Sequence, residues 1–154
     1  MHNEFSGLLA GAAFAAAFAL APEANAGLGE GVDSVARDHA MLRAHAATLV
    51  PMQSYDVHEM TTPDGGRVRE YLSRGGTVFA VTFSGRAMPD LGALLGSHYP
   101  DYVAATSARR TNHKVLAINE PGLVMEVVKL PRGITGSAHV PALLPAGVSA
   151  RELR

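Results

Sequence analysis

Cysteine is absent from all 154 residues, and so is tryptophan. Without thiols the chain forms no disulfide, carries no cysteine-linked lipid, offers no thiolate nucleophile and binds no metal through sulfur. An excess of one charge is also lacking: the formal net charge is −1, from 13 basic and 14 acidic residues. A balanced surface gives no electrostatic pull toward nucleic acid or an anionic membrane, so neither is expected as a partner. Long apolar runs are missing too. The longest, Gly7–Ala21, has about 15 residues where a membrane span needs about 20.

That run is nevertheless the most informative segment present. Apart from Gly7 and Gly11 it is all Ala, Leu and Phe, and Pro22-Glu23 breaks it. Ala24-Asn25-Ala26 follows, a small-x-small triplet of the kind signal peptidase accepts. The leading stretch Met1–Ser6 departs from the usual pattern, because it has no Lys or Arg and contains Glu4. The segment predicts a signal peptide over 1–26, cleaved before Gly27, with export to a bacterial periplasm or beyond. Glu4 and Glu23 are the only charged side chains before Gly27, so the remainder has 12 acidic residues against 13 basic ones, a net +1. A remainder of about 130 residues suits one domain that buries roughly two-thirds of its unfolded surface, with no transmembrane span left after cleavage.

Past a flexible lead-in at 27–31, Val35, His39, Leu42, Ala46 and Leu49 recur at helical intervals and predict one amphipathic helix over Val32–Val50, stopped by Pro51. Tyr55–Thr61, Arg67–Ser73 and Thr77–Phe83 read as strands. Pro63-Asp64-Gly65-Gly66 and Arg74-Gly75-Gly76 between them are turn signals, so the three form an antiparallel meander. Val68 and Leu72 share one face, Arg69 and Tyr71 the other, and Phe79, Val81 and Phe83 are expected together. Pro89 and Asp90 open a helix that runs to about His98, with a second short helix from Pro100. Lys114–Asn119 and Leu123–Leu130 are further strands around Glu120-Pro121-Gly122. From about 131 the chain is rich in Pro and Gly and mostly irregular, with Ile134–Val140 a short edge strand at most. The expected fold is α+β: an antiparallel sheet of about five strands, with an N-terminal helix and a central helix packed on one face.

Residues that carry chemistry are scattered. His39 and His45 point about 120° apart on the expected helix, and His58 and Glu59 face opposite sides of a strand, so no metal ligand set converges. His113 and His139 have no close ligand in sequence. No serine lies in G-x-S-x-G; Ser84-Gly85 reads as a turn. Glu59, Glu70 and Asp90 are the only carboxylates worth weighing as an acid/base set. Glu70 shares a face with Val68 and Leu72 and is expected to pair with an arginine. Gly75-Gly76 precedes a strand and makes no phosphate nest. Tyr99 and Tyr102 read as core residues with wet hydroxyls. No catalytic residue, cofactor site or metal site is expected.

Val68-Arg69-Glu70-Tyr71, Gly76-Thr77-Val78-Phe79-Ala80-Val81, Pro89-Asp90-Leu91 and Leu94-Leu95-Gly96 form a recognisable series. With the ending Val140-Pro141-Ala142-Leu143-Leu144-Pro145-Ala146-Gly147-Val148, the chain resembles the exported bacterial family called domain of unknown function 2844, from about Tyr55 onward. Phe83 and Gly85-Arg86 stand where that pattern has a Trp and a Gly-Pro step. The resemblance implies export and one domain and carries no activity. It singles out Arg69, Glu70, Tyr71, Asp90 and Leu91, with Tyr71 expected to pack on a helix and Asp90 to stabilise a helix start. Arg69, Glu70, Tyr71 and Asp90 from that series, together with His98, are the candidate binding surface.

Three functions remain open. The first is a non-catalytic periplasmic or secreted binding module for an envelope protein or small ligand. The second is an envelope assembly or structural factor, and the third a hydrolase using a histidine with a carboxylate. The first is preferred because a half-exposed antiparallel sheet offers an edge and a face to a partner. Oligomeric state is not fixed by the sequence.

Overall fold

Alternation of apolar and polar residues builds the body of this protein around one sheet. The computed structural model describes residues 27–107 and 114–153. Seven strands pair antiparallel throughout: β1 (Ala46–Pro51), β2 (Tyr55–Thr61), β3 (Arg67–Ser73), β4 (Val78–Gly85), β5 (Val115–Asn119), β6 (Val124–Leu130) and β7 (Gly133–His139). Their order across the sheet is β1-β2-β3-β4-β7-β6-β5. Two meanders, β1–β4 and β5–β7, are thus joined by the β4–β7 pair. The helices are α1 (Val32–Met41), α2 (Leu91–Leu95) and α3 (Tyr99–Ser107), the last two linked by a 3₁₀ turn at Gly96–His98. The fold is α+β with the helices on one face, and the meander stands where its turn residues put it. Gly65 and Gly76 both take φ of +80°, a region that suits glycine.

Several expectations are corrected by the structure. The first helix ends at Met41, not Val50. Arg43 adopts φ +50°, and Ala46–Pro51 pair with β2 as an edge strand. Ala46 and Leu49 had only continued the helical spacing by coincidence, and both are exposed. Ile134–Val140 is no edge: as β7 it lies between β4 and β6, and together with β1 it raises the strand count from about five to seven.

The lead-in at 27–31 is not loose. Leu28 is wholly buried and donates its N–H to the Leu94 carbonyl at 3.0 Å. Gly29 donates to Val78 at 2.8 Å and Val78 to Glu30 at 2.9 Å, so this segment straps the helical layer to the start of β4. Phe79, finally, does not share a face with Val81 and Phe83. Tyr71 pairs with Ala80 but Leu72 with Val78, so Phe79 is an extra residue in a β-bulge. It turns to the opposite side of the sheet.

The sheet consequently carries two cores. On the helix side Leu28, Val35, Leu42, Met60, Val68 and Val81 pack with α2 and with Ile118, Met125 and Val127. On the other side Val57, Tyr71, Phe79, Ala80 and Leu153 form a smaller cluster under Leu143, Leu144 and Val148 of the C-terminal tail. Tyr71 therefore packs against the tail, with Tyr55 at 5.9 Å and Phe79 at 6.2 Å between ring centres, rather than against a helix.

Candidate functional site

Antiparallel register sets the face opposite the helices into three rows. One crosses Val57, Tyr71, Ala80, His139, Val124 and Asn119, and the tail covers its first half. The middle row reads Thr48, Glu59, Arg69, Thr82, Ser137, Glu126, Ala117 from edge to edge. The third reads Ala46, Thr61, Arg67, Ser84, Thr135, Val128, Val115. Between the tail and these rows lies a groove of about 550 Å³. Its floor is hydroxyl: Thr82 and Ser84 on β4 lie directly beside Ser137 and Thr135 on β7. Arg67, Arg69 and Arg151 line it, with Glu126 and His139. Arg69 and Glu126 are separated by three strand spacings, about 14 Å.

The arginines are held in place. Glu59 accepts from Arg69 Nε at 2.7 Å through one oxygen and pairs with Arg67 Nε at 3.2 Å through the other. Hydrogen bonding to Glu59 first, and that carboxylate's charge with it, holds Arg69 more firmly protonated. Tyr71 Oη and Thr82 Oγ1 lie 3.3 Å apart at the groove's tail-side wall. Burial pushes the His139 imidazole below its ordinary value, toward the neutral form.

Glu70 lies on the opposite face, wholly buried, and its partner is not an arginine. It meets Asp38 of α1, also wholly buried, one helical turn after buried Ser34. As ionised groups neither carboxylate finds a donor; a proton on Glu70 supplies one, aimed at Asp38. Burial first, then the hydrogen bond and charge of Asp38, pushes Glu70 up to about 9. Burial likewise raises Asp38 to about 6, while the bond from Glu70 and the charge of Arg37 oppose it. The pair shares a proton across the neutral range, sealed from solvent between α1 and β3.

Of the five candidate surface residues the structure brings two together, Arg69 and Tyr71, on the groove face. Asp90 is the N-cap of α2: its Oδ1 accepts from Ala93 N at 3.1 Å, so Pro89 precedes the helix instead of opening it. His98 stands 3.6 Å from Asp101 Oδ2 and packs against Gly29 of the strap. Tyr99 is exposed, its ring stacked on Tyr102. His113 lies outside the described residues. Sequence reasoning missed Thr82, Ser84, Thr135, Ser137, Glu126 and Arg151. The alternating hydroxyls of β4 and β7 were a signal, but only the pairing of those strands makes a patch of them. Among the described residues no three His, Asp or Glu are placed to hold a metal, and no helix is long and apolar enough to cross a membrane.

These features define a single-sheet α+β protein with one helix-covered face and one half-open polar face. The match to a family model, running from residue 24 to residue 153, is to a protein of unknown function, DUF2844. The chain belongs to that family. Neither a curated protein nor a solved structure matches it.

Proposed function

We propose that this is an exported, non-catalytic binding module that takes a small, hydroxyl-rich, anionic ligand in the groove on the open face of its sheet. The observation that carries the reading is the lining. Four side-chain hydroxyls on two adjacent strands lie between Arg67 and Arg69 on one side and Glu126 on the other, with Arg151 on the tail. Hydroxyls donate and accept as sugar hydroxyls do. Guanidinium groups match a carboxylate or phosphate. Three arginines against Glu126 and the bridging Glu59 leave the groove positive. His139 is the lining histidine, and no hydrogen bond joins it to a carboxylate among the described residues, which favours binding over hydrolysis. Export is supported by the apolar run and the Ala24-Asn25-Ala26 triplet, and by the family match beginning at that triplet.

Titration of the ¹⁵N-labelled protein with glucuronic acid, beside glucose and inorganic phosphate, tests the ligand reading. Amide shifts confined to Arg67, Thr82, Ser84, Thr135 and Ser137, larger for glucuronic acid than for either control, are expected. Shifts on the helix face, or none with any probe, would rule the groove out. N-terminal sequencing of protein from a periplasmic fraction tests export, with Gly27 expected first.

A further inference from the structure

Strand β1 is a sheet edge whose blunting is confined to the proline at its end, Pro51. All of its residues, Ala46–Pro51, are exposed, none is charged, and its register with β2 runs unbroken. Edges are ordinarily blunted by a charge, a proline, a bulge or a cover, and Pro51 leaves the rest of β1 open. The opposite edge differs, because β5 follows Lys114 directly. Leu49 is 56% exposed, and Val50 and Met52 beside it are also open to solvent.

The ladder's phase shows which backbone groups are unclaimed. Met52 donates to the Tyr55 carbonyl at 2.9 Å, the next pair in register after Pro51 and Asp56. Bonded and non-bonded pairs alternate in an antiparallel ladder. Val50, Thr48 and Ala46 therefore bond to β2, while the N–H and C=O groups of Ala47 and Leu49 and the carbonyl of Pro51 point outward.

We infer that β1 pairs antiparallel with β1 of a second copy of this chain, about a two-fold axis at Leu49, joining two sheets into one. The occupant follows from self-complementarity. A strand paired with itself across a two-fold sets each side chain against its own sequence, where any charge would meet its like; β1 has none. Leu49 N–H donates to the carbonyl of the partner's Leu49, and the reverse. Ala47 N–H donates to the carbonyl of the partner's Pro51. The bond forfeited in each half is the one for which Pro51 has no N–H. The two exposed Leu49 side chains cover each other on the helix side, and Val50 meets the partner's Thr48 on the groove side. Both grooves then open on the same side of the joined sheet.

Sedimentation equilibrium of the purified protein is expected to show a reversible dimer. Leu49→Lys sets like charges opposite each other at the axis and should weaken the dimer at least about tenfold. Its melting temperature at low concentration should match that of the wild type, because the side chain is exposed. Mixing Leu49→Lys with Leu49→Glu should restore a heterodimer. A wild-type chain that stays monomeric, a dimer indifferent to Leu49→Lys, or failure of the charge-swapped mixture would each overturn the assignment. So would β1 amides that gain protection only when an unrelated extended peptide is added.

Discussion

The ring of Phe83 in β4 lies over the α-carbon of Gly136, its directly paired residue in β7. A Cβ on Gly136 would run into that ring, so the glycine is required by its neighbour and not by its backbone angles. Gly136→Ala should cost about 2 kcal/mol. The same substitution in a Phe83→Leu background should cost less, because the shorter side chain can yield. Urea midpoints for the four proteins measure the coupling.

The Glu70–Asp38 pair makes stability depend on pH. Both carboxyls titrate above their ordinary range when folded, so the folded chain holds protons that the unfolded chain releases. Stability is then greatest below the ordinary carboxyl values near 4 and falls as pH rises, until Glu70 itself ionises near 9. Melting temperature should therefore decline from pH 5 to pH 9. Glu70→Gln keeps the shape and a donor toward Asp38 without the ionisation. It should flatten that slope and stabilise the protein at pH 9 by about 2 kcal/mol.

The strap at 27–31 is predicted to be part of the fold. Leu28 is fully buried among α2 and β4 neighbours, so Leu28→Ala should cost about 3 kcal/mol, measured by chemical denaturation. A loss under about 0.5 kcal/mol, typical of surface positions, would show that the segment merely rests on the surface.

Groove and scaffold should separate in Arg67→Gln. The side chain is 56% exposed and its ion pair with Glu59 contributes little, so stability should change by less than about 1 kcal/mol. Glucuronic acid binding should weaken severalfold in the same NMR titration. Thr82→Val, in contrast, removes a hydroxyl from the groove floor beside Tyr71 and should lower both affinity and stability.

Local signals in the sequence placed the meander, because its turns are written in Pro63-Asp64-Gly65-Gly66 and Arg74-Gly75-Gly76. They also placed Arg69 and Glu70 on opposite faces. They failed where two periodicities overlapped or where distant segments met. Ala46 and Leu49 extended a helical spacing that Arg43 had already ended. Gly133 and Gly136 made a central strand look like a loop, although Gly136 is small only because Phe83 fills its place. The groove was the least accessible feature. Its floor exists because β4 and β7 pair across some fifty residues, a link that also shows in the Thr135 hydroxyl donating to the Phe83 carbonyl at 3.3 Å. The partner of Glu70 was hidden in the same way, on a helix whose inward face only the packed structure defines.

The bulge at Phe79 has a consequence for how this chain tolerates insertion and deletion. Val78 is fixed opposite Leu72 and Ala80 opposite Tyr71, so Phe79 is the residue of β4 that the register does not count. Losing that one codon would leave a plain ladder, with Val81 and Phe83 still inward and Thr82 and Ser84 still on the groove floor. The loss would fall on the tail-side cluster, which would give up the buried ring of Phe79 and loosen its hold on Leu143, Leu144 and Val148. The two faces of the sheet thus differ in how they meet a reading-frame-preserving deletion at this point: one keeps its residues in place, and the other loses its largest fully buried side chain.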